Sequence, residues 1–159
     1  MWKTREVIPE QLADGEAIGF NVWPETLIPK GPPGVYTIWD GENFVYVGMS
    51  WKEPTATASG TSLGLWGRLN SHASGRRSGD QFCIYICDRF VLGTLTTEAI
   101  SEIVAGRLSL DHLTREYICG RLSYRFITTA TGDQARTIEA LIRKTGLHRH
   151  GQPLLNPSK

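Results

Sequence analysis

Two tyrosines, each placed close to a glycine, are the first candidates for chemically active residues in this chain. The stretch GVYTIWDGENFVYVG puts Tyr36 two residues after one glycine and Tyr46 two residues before another, in nearly mirrored order. Arg68 and His72 are four residues apart, so they lie on one side of any helix that holds both. A guanidinium binds phosphate through two parallel hydrogen bonds, and an unperturbed histidine titrates at about pH 6.5. These residue types could bind a phosphate group and transfer a proton beside it.

The two tyrosines need a β-hairpin to bring them together. The runs GVYTIW and NFVYVGM are rich in β-branched and aromatic residues, and the turn DGEN lies between them. Residues 36 and 46 then lie on neighbouring antiparallel strands, so both phenols can project from one face of the sheet. The nearby glycines leave room for close backbone packing or for unusual dihedral angles.

The arginine and the histidine need a helix, and the segment LWGRLNSHA predicts one. Leu65, Trp66, Leu69 and Ala73 fall within one face at helical spacing. Arg68 and His72 then stack on the rim of that face and point the same way.

The rest of the chain predicts alternating strands and helices. QFCIYICDRFVL predicts a strand, residues 96–107 and 109–121 predict two helices, and SYRFITTA predicts a further strand. A last helix is predicted in QARTIEALIRKTG, with Asp133 as its N-cap and Gly146 at its end.

These elements predict an α+β fold, in which a small central antiparallel or mixed sheet is flanked by helices. Residues 1–30 are polar and punctuated by proline, which indicates an N-terminal extension. Residues 31–159 are predicted to form one domain, and the segment 81–121 is predicted to insert a strand and helices within it. A length of 159 residues leaves room for one domain with a proper core.

Composition limits the class of protein. Hydrophobic residues make up 40% and charged residues 21%, as in ordinary globular domains. No run of eighteen apolar residues occurs, and the opening MWKTREVIPEQ lacks an apolar signal core, so we expect a cytoplasmic protein without membrane association. The three cysteines lack paired CxxC spacing, which argues against a disulfide framework and a structural zinc site. Cys83 and Cys87 are expected to be buried thiols.

The order of these features resembles the GIY-YIG nuclease superfamily. The resemblance rests on the two tyrosine–glycine tripeptides, a helix bearing Arg68 and His72, a glutamate in a later helix (Glu139), and the segment PLLNP with Asn156. It covers roughly residues 31–157. The resemblance implies a metal-dependent phosphodiesterase that acts on DNA and leaves a 5′-phosphate and a 3′-hydroxyl. It also implies a small sheet with the two tyrosine-bearing strands at its centre.

The catalytic residues that the resemblance implies are Tyr36, Tyr46, Arg68, His72, Glu139 and Asn156. Glu139 is the expected metal ligand, and Mg²⁺ or Mn²⁺ is the expected cofactor, because Mg²⁺ suits one or two carboxylates together with waters and substrate phosphate. Tyr36 is the favoured base, with His72 as its partner or proton relay. A free tyrosine has a pKa of about 10, so Tyr36 needs a nearby cation to ionise at neutral pH. Asn156 is expected to brace the last segment against Glu139.

The expected partner is double-stranded or branched DNA, held along its phosphate backbone by Arg68, Arg76, Arg77 and Lys52. A net charge of only +1 permits this partner without demanding it. A homodimer would supply the twofold symmetry that a palindromic site requires.

Two other functions stay open. One is a nucleic-acid-binding module with weak or lost catalysis, and the other is a protein-interaction domain that uses the 81–121 insertion. Glu139 could also form only a surface pair with Arg143, four residues later. The loop of nineteen residues between Gly48 and Arg68, and the lack of a lysine directly after Gly48, leave DNA docking and specificity open.

Overall fold

The chain folds around a four-stranded antiparallel sheet with helices on both faces. The structure is a computed structural model that describes residues 7–51 and 64–158. The strands are β1 (Ile18–Gly19), β2 (Gly34–Asp40), β3 (Asn43–Ser50) and β4 (Leu122–Thr128), and their order across the sheet is β1-β4-β2-β3. The helices are α1 (Gln11–Asp14), α2 (Gly64–Ala73), α3 (Gln81–Ile86), α4 (Thr97–Val104), α5 (Leu110–Arg121) and α6 (Gly132–Thr145). The predicted α+β class is therefore confirmed. None of the helices in the described ranges is long and apolar enough to cross a membrane.

The predicted hairpin is formed by β2 and β3. Its two-residue turn begins at Gly41, whose φ of 60° suits glycine in a tight hairpin turn. Tyr36 pairs with Gly48 and Ile38 pairs with Tyr46, so both tyrosines point to the same face of the sheet. The predicted common face for the two phenols is thus confirmed.

Two apolar clusters hold the helices on the sheet. On one face, Tyr36, Tyr46 and Tyr124 pack with buried residues of α2, α3 and α5. On the other face, Val35 and Val47 pack with α6 and with α1. Helix α2 and helix α6 therefore lie on opposite faces of the sheet.

The predicted strand in QFCIYICDRFVL is wrong, because this segment is helical. Helix α3 is followed by a π-helical turn over Cys87–Val91. The Asp80 side chain caps α3 by accepting a hydrogen bond from the Cys83 N–H. Phe82, Cys83, Ile86 and Cys87 are buried at helical spacing, so one helix face explains their burial. The prediction that Cys83 and Cys87 are buried is confirmed.

The elements after residue 95 agree more closely with those predicted from the sequence. The helices predicted at 96–107 and 109–121 appear as α4 and α5. The strand predicted in SYRFITTA is β4, and the last predicted helix is α6. The predicted N-cap of α6 is wrong by two residues, since Thr131 rather than Asp133 accepts the hydrogen bond from the Gln134 N–H. The predicted helix end at Gly146 is confirmed, where φ reaches 78°.

Strand β3 lies at the edge of the sheet, so the expectation that both tyrosine-bearing strands are central is wrong for β3. Its outer side is covered by the C-terminal segment. Leu154 and Leu155 donate backbone hydrogen bonds to the carbonyls of Phe44 and Val45. This cover fixes the position of residues 154–156 beside the strand that carries Tyr46.

The described part of residues 1–30 packs into the same cores as the rest of the chain. Leu12 and Phe20 are buried on opposite faces of the sheet. Strand β1 pairs with β4, and the Thr37 hydroxyl donates a hydrogen bond of 2.6 Å to the Leu12 carbonyl. Residues 7–30 are thus packed against the domain that begins near residue 31.

Candidate functional site

A buried hydrogen bond joins the first tyrosine to the predicted histidine. Helix α2 lies on the Tyr36 face of the sheet and buries Leu65, Leu69 and His72. The Tyr36 hydroxyl is 2.6 Å from Nε2 of His72, and both residues are almost completely shielded from solvent. The sequence places these two groups 36 residues apart. The fold therefore brings together two of the residues expected to act in one site.

The histidine is held from its other side by Asp80, which the sequence analysis does not single out. Nδ1 of His72 lies 2.8 Å from Oδ2 of Asp80. The same oxygen accepts a hydrogen bond of 2.6 Å from the Ser71 hydroxyl, and Oδ1 accepts one from the Cys83 N–H. An ionised carboxylate only accepts hydrogen bonds, so Nδ1 carries the proton and Nε2 accepts from Tyr36. The result is an ordered chain from Tyr36 through His72 to Asp80.

The protonation states follow from burial and from these hydrogen bonds. Burial raises the pKa of Tyr36 well above its ordinary value, an effect that Tyr46 strengthens and Arg68 opposes. Burial also lowers the pKa of His72, although its hydrogen bond to Asp80 partly offsets the change. Burial alone would raise the pKa of Asp80, but the hydrogen bonds from His72, Ser71 and the Cys83 N–H lower it to about 2. At neutral pH the chain is therefore phenol, neutral imidazole and carboxylate.

The Tyr36 ring explains why the residue opposite it in the sheet, residue 48, is a glycine. A Cβ atom at position 48 would overlap the hydroxyl and ring of Tyr36, which lies directly across from it in the sheet. The Tyr36 ring occupies the space that any other side chain would fill. Glycine at this position thus lets the phenol lie flat against β3 and reach His72.

Replacing Gly48 with alanine is expected to lower the free energy of unfolding by about 1–3 kcal/mol, because the methyl group displaces the Tyr36 ring. Urea unfolding measures this change. Gly120→Ala is the matched control, because a Cβ there meets nothing within 4 Å and helix propensity should make that variant slightly more stable. Equal stabilities for the Gly48 variant and wild type would show that the ring does not depend on this glycine.

The second tyrosine and the predicted arginine border this buried chain. The ring centroid of Tyr46 is 6.5 Å from that of Tyr36 and 5.9 Å from that of His72. Burial raises the pKa of Tyr46 to about 12, against the opposing positive charge of Arg68. Arg68 is exposed on α2, and its charge acts on both phenols. Arg68 thus places a positive charge beside two buried phenols, and its side chain hydrogen-bonds to Tyr36.

Glu139 lies on α6, which packs against the face of the sheet opposite to that of α2. Its side chain is 15% exposed, and its negative charge contributes to the raised pKa of Tyr46. Burial raises the pKa of Glu139 itself, and Arg143, whose Nη1 lies 3.7 Å from Oε1, partly offsets this change. The predicted i,i+4 pair with Arg143 is therefore present, but it is a loose one.

Asn156 braces the C-terminal segment against β3. Its side-chain oxygen accepts a hydrogen bond of 3.2 Å from the Val47 N–H, and its side-chain nitrogen donates one of 2.7 Å to the Val47 carbonyl. Nε of Arg143 donates to the Asn156 carbonyl at 2.9 Å. Asn156 thus connects the strand that bears Tyr46 to the helix that bears Glu139.

A divalent cation at this site would be held by one protein carboxylate, that of Glu139. Glu139 is the only acidic residue of the predicted set, and a half-buried carboxylate with a loose cationic partner gains from a second cation. The described residues contain no group of three or more His, Cys, Asp or Glu that could enclose a metal ion. Mg²⁺ commonly binds through one or two carboxylates and keeps several waters, which leaves positions for substrate phosphate.

The predicted DNA-binding residues are spread more widely than the predicted catalytic ones. Arg76 is exposed after the end of α2. Arg77 is engaged by Asp111 of α5, with Nε 2.7 Å from Oδ1, which directs its guanidinium toward the insertion. Lys52 lies outside the described residues.

Asp80 could have been found from a helix-start signal. It precedes an apolar segment whose buried positions 82, 83, 86 and 87 fit a helix, and aspartate is a preferred N-cap. The strand interpretation of that segment hid this signal. That the cap also holds His72 depends on tertiary packing.

Replacing Asp80 with alanine is expected to lower the free energy of unfolding at pH 7 by about 3–5 kcal/mol, because it leaves buried donors on His72 and Ser71 without an acceptor. The folded-state pKa of Asp80 is depressed, so its contribution is complete above the unfolded value and is lost as pH falls from about 4 toward about 2. Urea unfolding from pH 7 to pH 2 should show that acid loss in wild type and not in the variant. Asp88→Ala, at an exposed aspartate, is the control. An Asp80 variant as stable as wild type would contradict the role of Asp80 in this hydrogen-bond network.

Comparisons of the chain with protein-family models, with curated proteins and with solved structures find no match.

Proposed function

We propose that this protein is a divalent-metal-dependent DNA endonuclease of the GIY-YIG type, which hydrolyses phosphodiester bonds to leave a 5′-phosphate and a 3′-hydroxyl. The observation that supports it most is one spatial arrangement. Tyr36, Tyr46, Arg68 and His72 lie together on one face of the sheet, and the negative charge of Glu139, on a helix of the opposite face, acts on Tyr46. Residues dispersed over more than a hundred positions thus supply the groups that phosphodiester hydrolysis needs.

Activation of water is the role of the buried hydrogen-bonded chain. A raised pKa makes Tyr36 a poor source of free phenolate. However, Nε2 of His72 lies 2.6 Å away with its lone pair directed at the phenol. Tyr36 is shielded from solvent in the free protein, so the mechanism requires that substrate binding admit a water to its hydroxyl. That water would give a proton to Tyr36 while Tyr36 gives its own proton to His72, and Asp80 would stabilise the imidazolium that results. This favours Tyr36 as the group next to the water and His72 as the relay.

Stabilisation of the phosphate falls to Arg68 and Glu139. The exposed Arg68 guanidinium can bind two oxygens of a phosphodiester and oppose the negative charge that grows on them. A divalent cation at Glu139 would supply further charge neutralisation for the phosphate and the leaving oxygen. Tyr46, whose hydroxyl is a donor at neutral pH, can hydrogen-bond a phosphate oxygen.

Nuclease activity is tested most directly on several substrates in parallel. Purified protein is incubated with supercoiled plasmid, linear duplex, branched DNA and single-stranded DNA, in Mg²⁺, in Mn²⁺ and in EDTA. Cleavage that needs the metal, with products that a ligase rejoins without prior phosphorylation, supports the proposal. Binding without cleavage in any metal supports the alternative of a nucleic-acid-binding module.

Arg76 is expected to contribute to DNA affinity more than Arg77 does, because the Arg77 guanidinium is already paired with Asp111. Arg76→Ala should weaken binding to all duplex sequences and reduce the slope of log affinity against log salt by about one. Fluorescence anisotropy at several salt concentrations measures both quantities. Arg149→Ala, an exposed arginine on another segment, is the control. Unchanged affinity at low salt would remove Arg76 from the interface.

A further inference from the structure

An exposed tryptophan follows strand β3 and lies against the start of α6. Trp51 comes directly after Ser50, the last residue of β3, and it is 46% exposed. Gly132, the first residue of α6, lies beside it, because a Cβ at that position would come within 3.0 Å of two indole atoms. Glycine at position 132 thus lets the indole lie close to the helix.

A guanidinium from the same helix also contacts the indole. Cζ of Arg136 lies 5.2 Å from the centre of the Trp51 ring, within the range of a cation–π contact. Arg136 is itself exposed. The ring is therefore held in place by two residues of α6 while almost half of Trp51 stays open to solvent. A side chain that is already held loses little conformational freedom when a ligand binds to it.

The side of α6 that contacts Trp51 also carries the proposed metal ligand. At 3.6 residues per turn, Gly132, Arg136, Glu139 and Arg143 fall within an arc of about 60° around the helix axis. Arg136 and Glu139 are about 4.5 Å apart along that axis. This side of α6 thus presents, in order, an aromatic ring with a guanidinium on it, a carboxylate and a second guanidinium.

That order of groups suits a single strand of nucleic acid. Each nucleotide offers a flat base, which stacks on an aromatic side chain, and a phosphate, which binds a guanidinium. Inside a duplex, the neighbouring base pairs cover both faces of every base. Only an unpaired base or a base at a duplex end is therefore free to stack on a side chain at the protein surface.

We propose that Trp51 and Arg136 form a subsite for an unpaired base of the DNA strand, close to the phosphate that is cut. The base stacks on the exposed part of the indole, and Arg136 binds the phosphate next to that base. The proposal rests on the proposed function, because a metal at Glu139 is what places the cut phosphate nearby. The subsite favours tailed, gapped or branched DNA over an uninterrupted duplex.

The subsite is tested by binding in EDTA, where metal-dependent cleavage does not occur. Fluorescence anisotropy compares a labelled blunt duplex with the same duplex bearing a short single-stranded tail at its 5′ or 3′ end. Trp51→Ala should weaken binding of a tailed duplex by about 5- to 150-fold and leave binding of the blunt duplex nearly unchanged. Trp51→Phe, which keeps an aromatic face, should recover most of the loss.

The arginine of the subsite has a matched control on α5. Cζ of Arg121 also lies 5.2 Å from the centre of an aromatic ring, that of Tyr117. Arg136→Ala should weaken binding of the tailed duplex, whereas Arg121→Ala should leave it unchanged.

Abasic nucleotides in the tail identify the base and do not depend on the folding of any variant. Removing the bases of the tail one at a time should weaken wild-type binding at one position in particular. At that position, the loss should disappear in Trp51→Ala, because the side chain that the base stacks on is already missing.

Three results would overturn the subsite. They are a Trp51→Ala variant that binds the tailed duplex as tightly as wild type, an equal loss on the blunt duplex, and wild-type binding that no single abasic position weakens. Each of them leaves the proposed nuclease untouched, since metal-dependent plasmid cleavage is measured separately. Base-dependent binding at Trp51 by a protein that cuts no substrate would instead support the subsite and refute the nuclease.

Discussion

Replacing Glu139 with alanine is expected to reduce metal-dependent cleavage of plasmid DNA by about 1000-fold, because several kcal/mol of charge stabilisation at the phosphate are lost. The fold should survive. Burial raises the pKa of Glu139, so its ionised carboxylate does not stabilise the fold at neutral pH, and its contact with Arg143 spans 3.7 Å. Initial rates of plasmid nicking in Mg²⁺, together with thermal unfolding of both proteins, measure the two effects.

The matched control for this variant is Glu116→Ala. Glu116 is also a helical glutamate in an i,i+4 pair, with His112, but its side chain is 62% exposed on α5. That variant should cut as fast as wild type. Wild-type rates from a folded Glu139 variant would refute the assignment of Glu139 as metal ligand, and with it the proposed site for the cleavage.

Replacing Tyr36 with phenylalanine is expected to slow cleavage by about 100- to 10,000-fold, the range of a lost general acid or base. The ring and its packing stay, so only the hydroxyl that connects water to Nε2 of His72 is removed. Single-turnover rates on pre-bound DNA separate this loss from any change in affinity, which should be small.

The pH dependence of the wild-type rate gives a second test of the same relay. His72 must be neutral to accept the proton, and burial lowers its pKa from the ordinary value of about 6.5. The rate should therefore hold down to about pH 6.5 and fall in more acid solution. The control is Tyr117→Phe. Its hydroxyl donates a hydrogen bond of 2.7 Å to Asp40 and lies outside the site, so this variant should keep the wild-type cleavage rate and its pH profile. A Tyr36 variant as fast as wild type would exclude this tyrosine as base.

Local sequence signals predicted the parts of the fold that carry the tyrosines and the histidine. The hairpin follows from β-branched residues around a tight turn that includes Gly41, and the apolar spacing of α2 fixes the side on which His72 lies. These signals are strong because the turn residues and the spacing of apolar residues are set by neighbours only a few positions apart in the sequence. The contact between Tyr36 and His72 could be expected only from the resemblance to a known family.

The parts that were not predicted depend on tertiary structure, or on a spacing of apolar residues that suits a strand as well as a helix. Phe82, Cys83 and Ile86 belong to a six-residue apolar run that is short enough for either a strand or a helix, and the Asp80 cap decides for the helix. The cover on β3 involves Asn156, 109 residues away from Val47, and no local pattern indicates such a pairing. The role of Asp80 in holding His72 is likewise a property of packing.

The cover on β3 also sets an order of assembly for a chain made from its N-terminus. Val47 is synthesised 109 residues before Asn156, the partner that closes its edge. Until then the Val47 N–H and carbonyl lack the side chain that pairs with them, and α6 lacks its hydrogen bond from Arg143 to the Asn156 carbonyl. The proposed nuclease activity should therefore need a chain that extends through Asn156, because only then is the β3 edge beside Tyr46 closed.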